Sequence, residues 1–354
     1  MTRFLDESEA GEIVKNYLSE IGILTPTEDI IKRVPELNKC IVRPGKVSDS
    51  IYQTNDEKPL LSDDGKPIRI MVRTPRISTH DKGRGDIPFK DQVLATNHNF
   101  MRKMVEPAIG TSQFEIPGLV MNATVIAAEN LDTIPFENVL RLYLARSSTE
   151  TSLYHAYFVK GEKEFCGHPL SENLIVNQKL PYLMGTPSTK GKTDMSVSPQ
   201  YLFDNNICTP NEYTEISSNS KMAYGIVFGY LYDKGIILAD TKTENGRNRK
   251  GKIVSQDELF TFDSSRYWSL EDYLKAIDEG RDPVSYSKEF ARGMSEGDKK
   301  YTPEQQILIA VRYIMGIQKL TGKKFEPDIR PRDKALVEDI QLIVGTLGLK
   351  SRAY

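Results

Sequence analysis

Asp240, Lys242 and Glu244 stand at alternate positions, and Asp257 and Glu258 follow a short basic turn later. Strand side chains alternate faces, so a strand over Ile236 to Glu244 would carry the first three on one side. The segment Asn245 to Gly251 holds two glycines and three basic residues, the composition of a hairpin connection. A returning strand over Lys252 to Leu259 would then set Asp257 against Glu244, with Lys242 beside both. Two carboxylates and a lysine at one end of a sheet suit a magnesium–nucleotide site. Mg²⁺ takes hard oxygen ligands, commonly one or two carboxylates plus substrate phosphates. A solvated polar hairpin is the other reading that these residues allow.

Composition narrows the setting. A chain of 354 residues accommodates two or three domains, or one enzyme of two lobes. The net charge of −2 predicts no bulk attraction to nucleic acid or to a membrane. Cys40, Cys166 and Cys208 are scattered, lack metal-ligand spacing and read as reduced structural thiols. Acidic Asp6, Glu7 and Glu9 stand where a secretion signal needs a basic flank and an apolar run. The most apolar run, Met222 to Leu238, is broken by Asp233 and Lys234 and is too short to cross a bilayer. The expectation is a cytoplasmic protein, with its oligomeric state left open.

The elements that must position the charged hairpin are readable in part. Val14, Tyr17, Leu18 and Ile21 share one helical face, and Thr27 starts a second helix that Pro35 ends. Residues 1–38 thus form a helical extension expected to pack on the body. A turn at Ser62 to Pro67 precedes a strand over Ile68 to Arg73. A helix is predicted over 91–105, a strand over 119–128, and a helix over 217–232 that enters the central strand through Gly235. Thr302-Pro-Glu-Gln is a capping-box helix start, with Gly322 at the other end, and a last helix covers 333–346. His80 and His98 have no partner at ligand spacing and read as surface or hydrogen-bonding residues.

Leu238 to Gly246 reads Leu-Ala-Asp-Thr-Lys-Thr-Glu-Asn-Gly, and Asp257 to Trp268 reads Asp-Glu-Leu-Phe-Thr-Phe-Asp-Ser-Ser-Arg-Tyr-Trp. Both resemble the signature of the SAICAR synthetase family, with Thr243, Asn245 and Phe262 as the changes. Further stretches are similar in the same order. They are the Gly45-Lys46 turn, Thr74 to Asp81, Ile87 to Leu94, Ile134 to Ser148, Leu180 to Asp194, and Tyr313 to Phe325. The chain departs from the family at Ser48, where a basic residue is usual, and at Phe89 and Asp91, where the family's loop has glycines. It departs again at Arg146, in place of Gly, and at Met195, in place of Glu.

The resemblance covers roughly Cys40 to Phe325 and implies an α+β, two-lobed fold. A smaller antiparallel lobe, 39–128, would face a larger mixed lobe, 129–354, with ATP in the cleft between them. The implied reaction joins L-aspartate to the carboxylate of the carboxyaminoimidazole ribotide (CAIR), with ATP going to ADP and phosphate. Gly45 and Lys46 would meet nucleotide phosphate, and Glu244 and Asp257 would hold Mg²⁺. Lys242, Asp240 and Asp194 would be catalytic. Arg141, Ser147, Ser265 and Arg266 would bind the ribotide phosphate. A related small-molecule kinase and a non-catalytic nucleotide-binding paralogue are the alternatives.

Overall fold

The computed structural model describes residues 3–21, 24–80, 82–191 and 194–349. Asp81, Lys192 and Thr193, which belong to two of the family-like stretches, lie outside the described residues. The chain divides into two compact units. One comprises Met1–Phe100, Ser112–Leu131 and Gly293–Tyr354; the other comprises Met101–Thr111 and Asp132–Arg292. An undivided 129–354 lobe is therefore corrected, because the C-terminal helices pack on the first unit.

In that unit β1 (Arg43–Pro44), β2 (Ser48–Ile51), β3 (Ile68–Arg73) and β6 (Val125–Glu129) form an antiparallel sheet in this order. A separate hairpin pairs β4 (Arg76–Thr79) with β5 (Lys82–Asp86). Ile68, Ile70 and Val72 alternate along β3 and are fully buried. They join one apolar cluster with Ile30 and Ile31 of α2 (Thr27–Ile31) and Leu336, Ile340, Ile343 and Val344 of α9 (Arg332–Leu347). The α9 residues recur at i, i+4, i+7 and i+8, the spacing of one helical face.

The N-terminal helix α1 (Glu7–Ile21) packs on α8 (Pro303–Thr321). The buried Gln318 amide secures the approach to it. Gln318 accepts from the Leu5 N–H at 2.9 Å and donates to the Leu5 carbonyl at 3.1 Å. Tyr17 stacks on Phe89 with ring centroids 4.2 Å apart. Phe89 adopts φ +57°, a left-handed backbone that disfavours a side chain with a Cβ. Burial of its ring between Tyr17 and Phe325 offsets that strain. The helix α3 (Lys90–Val105) follows directly.

The second unit is built on a six-stranded antiparallel sheet. Its order is β10 (Lys179–Gly185), β7 (Asp132–Tyr143), β12 (Ile236–Arg247) and β13 (Ile253–Gln256). β11 (Ser188–Thr189) also pairs with β7, and β14 (Ser265–Ser269) with β12. A small hairpin joins β8 (Glu164–Phe165) to β9 (His168–Pro169), and α4 (Pro199–Asp204) precedes α5. The long helix α5 (Pro210–Tyr232) opens with a Thr209–Glu212 capping box and covers the odd-numbered face of β12. There Phe228 packs against the cluster of Ile237 and Ala239, and Ser220 Oγ lies 3.2 Å from Thr243 Oγ1. Covering that face leaves the even-numbered one, with Asp240, Lys242 and Glu244, for polar chemistry. The shorter α6 (Leu270–Glu279) and α7 (Glu289–Gly293) follow β14.

Several element edges differ from the sequence expectation: α5 starts at Pro210 rather than at 217, and α2 ends at Ile31, with Pro35 opening a separate 3-10 turn. β12 continues through Asn245, Gly246 and Arg247, because each is paired on both sides, to β7 and to β13. The connection is correspondingly shorter, and the Asn248 side chain closes it by accepting from the Lys250 and Lys252 N–H groups at 3.0 Å each. β13 ends at Gln256, so Asp257 lies beyond the strand with φ +61°, and Glu258 accepts from the Thr261 hydroxyl at 2.5 Å. The strand expected over 119–128 starts only at Val125, since turns at Leu119 and Ala123 precede it.

Candidate active site

The site residues of the second unit fall into two linked groups on one face of the large sheet. Antiparallel register places Asp240 of β12 directly between Arg141 of β7 and Arg266 of β14. Its carboxylate is ion-paired to both, with Arg141 Nη1 at 3.5 Å. All three nitrogens of Arg266 are engaged. Nη1 donates to Asp240, Nε to Glu289 of α7 at 3.0 Å, and Nη2 to Ser147 Oγ at 3.3 Å. Burial opposes the Arg266 charge, but Asp240 and Glu289 outweigh it and hold the guanidinium above its ordinary pKa. Burial dominates at Arg141 and pulls its pKa down despite Asp240. The Arg141 Nε donates to Thr186 Oγ1 at 2.9 Å, which fixes its fork. Ser265 Oγ lies 2.7 Å from Thr241 Oγ1 inside the sheet.

The second group lies two to four residues further along β12. Glu244 is directly opposite Glu137 of β7, a like-charge pairing that costs stability by itself. Lys242 resolves it, with Nζ 2.5 Å from Glu137 and 3.3 Å from Glu244. Lys190, just past β11, ion-pairs with the other oxygen of Glu244. Burial works against the Lys242 ammonium, yet Glu137, Glu244 and then Asp257 carry its pKa well above the usual value. The field of Asp257 thus reaches Lys242, and Asp257 adjoins Gln256, the register partner of Glu244. Glu244 is raised by burial but lowered more by Lys242 and Lys190, and ends below the usual carboxylate range.

Other expected residues are placed differently. Asp194 is exposed, four residues beyond Lys190, and accepts from the Gly191 N–H at 3.5 Å. Arg146 turns to Asp282, with Nε 2.8 Å from Oδ1. Gly45 and the exposed Lys46 belong to the first unit, in the β1–β2 turn. The Gly45 N–H already donates to the Ser48 carbonyl at 2.8 Å, and a Cβ there would sit 2.5 Å from that oxygen. Glycine is therefore required by the tight turn, and its own amide is engaged within that turn.

Four residues of the site escaped the sequence reading: Glu137, Thr186, Lys190 and Glu289. Glu137 and Arg141 alternate along β7 as Asp240, Lys242 and Glu244 do along β12, so the same two-residue period points to Glu137. Lys190 closes the Thr-Pro-Ser-Thr-Lys run. Glu289 has no local signal, because only the packing of α7 brings it to Arg266. Among the described residues, no group of three or more His, Cys, Asp and Glu is placed to hold a metal. No described helix is long and apolar enough to cross a membrane.

Known proteins are similar to this chain in sequence and in fold. The family described as SAICAR synthetase matches residues 42–307. The chloroplastic phosphoribosylaminoimidazole-succinocarboxamide synthase of Arabidopsis thaliana is 30% identical over 345 residues, 93% of this chain and 77% of that protein. The synthase of that name from Legionella pneumophila (strain Paris) is 32% identical over 272 residues, 74% of this chain and 85% of its own. Among solved structures, a Saccharomyces cerevisiae SAICAR synthase complexed with SAICAR covers 81% of this chain and 97% of its own, with a TM-score of 0.67 and 23% identity. A SAICAR synthetase in complex with ADP covers 81% and 100%, with a TM-score of 0.59 and 20% identity. The α+β fold expected from the resemblance is the fold these structures share. With well over half its length matched by one family model, and relatives at this identity aligned along most of both chains, the chain belongs to the SAICAR synthetase family.

Proposed function

We propose that the protein is an ATP-dependent carbon–nitrogen ligase of purine biosynthesis, joining L-aspartate to the carboxylate of CAIR to give SAICAR, ADP and phosphate. The observation that carries the reading is the shared sheet face. Arg141, Arg266 and Ser147 converge around Asp240, beside the chain of charges Glu137, Lys242, Glu244 and Lys190. Paired guanidinium forks with a serine hydroxyl suit the ribotide phosphate dianion. Asp240 and Glu289 act here by holding those forks, and Ser265 by fixing the strand beneath them. Asp194, exposed on its loop, is assigned to the amino-acid side of the reaction.

The route is an acyl phosphate. A CAIR carboxylate oxygen attacks the γ-phosphorus and ADP leaves; the aspartate amine then attacks the acyl carbon, phosphate leaves and the amine loses its proton. Such transfers depend on positioning and charge neutralisation more than on covalent protein chemistry. Lys242, kept protonated by its acidic neighbours, supplies a fixed positive charge for the reacting oxygens. Nucleotide as substrate follows from the family and from the ADP held by one structural relative. Gly45 and Lys46 are assigned to its phosphates through the turn and the lysine charge rather than through the Gly45 amide.

The donor set fits Mg²⁺. Glu244 and the exposed Asp257, which follows the register partner of Glu244, offer hard carboxylate oxygens, and Mg²⁺ on nucleotide phosphate needs only one or two. These two residues would hold the ion, which would supply charge neutralisation to phosphate oxygens. The cytoplasm is kept as the compartment on the composition argument alone.

The test is ATP turnover by the purified chain with CAIR, with and without L-aspartate. ADP release that depends on aspartate and matches SAICAR formation is expected. Equally fast release without aspartate would identify a kinase, and no turnover a non-catalytic paralogue.

A further inference from the structure

We propose that Lys190 is an exchangeable counter-ion for Glu244, occupying this carboxylate when no divalent cation is bound and leaving it when one binds. The proposal rests on the reading of Glu244 as a metal ligand.

Glu244 carries two ammonium groups, one on each oxygen. Lys242 lies at Oε1 and Lys190 at Oε2. The two lysines are held differently. Lys242 projects from the middle of β12 and is clamped by Glu137 at 2.5 Å, so it cannot withdraw without stranding that carboxylate. Lys190 sits outside β11, followed by Gly191, and its side chain is 39% exposed. Its backbone stays anchored, with the N–H donating to the Pro135 carbonyl at 3.3 Å, while the side chain has solvent to move into.

The charges explain why a second lysine is needed. Glu137, Lys242 and Glu244 together carry one negative charge, and Glu244 is only 6% exposed. A buried carboxylate with incomplete pairing is costly. Lys190 brings the set to neutrality, whereas a divalent cation in the Lys190 position on Oε2 would do so for the larger set that includes the carboxylate of Asp257, its second ligand under this reading. Metal and lysine therefore compete for one oxygen. The apparent metal affinity falls in proportion to the fraction of protein in which that oxygen is free.

The experiment is Mn²⁺ binding to the full-length, nucleotide-free protein by isothermal titration calorimetry, which does not depend on catalysis. Lys190→Met should bind Mn²⁺ roughly tenfold or more tighter than the natural protein, the scale of a lost charged hydrogen bond. Lys190→Gln should do the same, and Lys190→Arg should stay close to the natural affinity. Lys179→Met removes an equal charge elsewhere in the same sheet and should change little. The gain should vanish in Lys190→Met combined with Glu244→Gln. Unchanged or weaker binding in both Lys190→Met and Lys190→Gln overturns the proposal. So does a gain that persists without the Glu244 carboxylate, or one matched by Lys179→Met. Tighter binding in Lys190→Met by a protein that fails to ligate aspartate would support the counter-ion role and defeat only the ligase reading.

Discussion

Arg266 is where residue chemistry and position meet most tightly. Its three nitrogens reach Glu289, Asp240 and Ser147, so the guanidinium is oriented before any ligand arrives. Full replacement would leave Asp240 and Glu289 each short of a partner in a buried place, which threatens the fold itself. The informative variant is Arg266→Lys, which keeps the charge and loses the planar fork. It should lower kcat/KM for the ribotide by roughly 10- to 200-fold, the loss of about 1.5–3 kcal/mol, and leave the KM for ATP and aspartate much less changed. Steady-state kinetics with each substrate varied in turn checks this. A normal ribotide KM, with the loss appearing in ATP, would remove Arg266 from the phosphate site. The sequence already named Arg141, Ser147 and Arg266 through the family resemblance, and Asp240 through the strand period. It could not show that Asp240 bridges the two arginines, since that depends on which strands flank β12.

At the scale of elements, α9 combines a core face with a titrating group on its flank. Asp339, between the core residues Leu336 and Ile340, is pushed up to about 6, by burial first and then by Asp328 and Glu338, against the pull of Arg330. A carboxyl whose folded pKa exceeds its unfolded value, near 3.9, binds more protons in the fold. Stability from this group is therefore greatest at low pH and declines as pH rises from about 4 through about 6. Asp339→Asn should stabilise the protein by about 1 kcal/mol at pH 8, a small rise in Tm, and have almost no effect near pH 4. Thermal melts of both proteins across this range test the sign. An equal effect at the two pH values would place the carboxyl in an ordinary solvated state. The boundaries of α8 were legible because Thr302, Pro303, Gln305 and Gly322 act through local caps. The extent of β12 was not legible, because ladder partners on two sides override the turn preference of Asn245 and Gly246.

For the whole molecule, the first unit gathers both ends of the chain. Leu336, Ile340, Ile343, Val344 and Leu349 share one apolar cluster with Ile30, Ile51 and Ile70. Each such side chain contributes about 1.5–3 kcal/mol by burial, and five of them approach the 5–15 kcal/mol that holds a typical domain together. A chain ending at Arg330 should therefore lose cooperative unfolding and expose apolar surface, read by circular dichroism melts and dye binding. A sharp, native-like melt would show that α9 is dispensable. The sequence by itself determined the family, because that is written in short ordered motifs, and through the resemblance the α+β class; the two-residue period added the shared face of Asp240, Lys242 and Glu244. Tertiary structure alone decided that the last helices belong with the first strands, that Phe89 is held in its strained backbone by Tyr17, and that Lys190 and Glu289 complete the charge pairing. Those outcomes depend on apolar faces and opposite charges meeting across long stretches of chain, and no local pattern records which face will meet which.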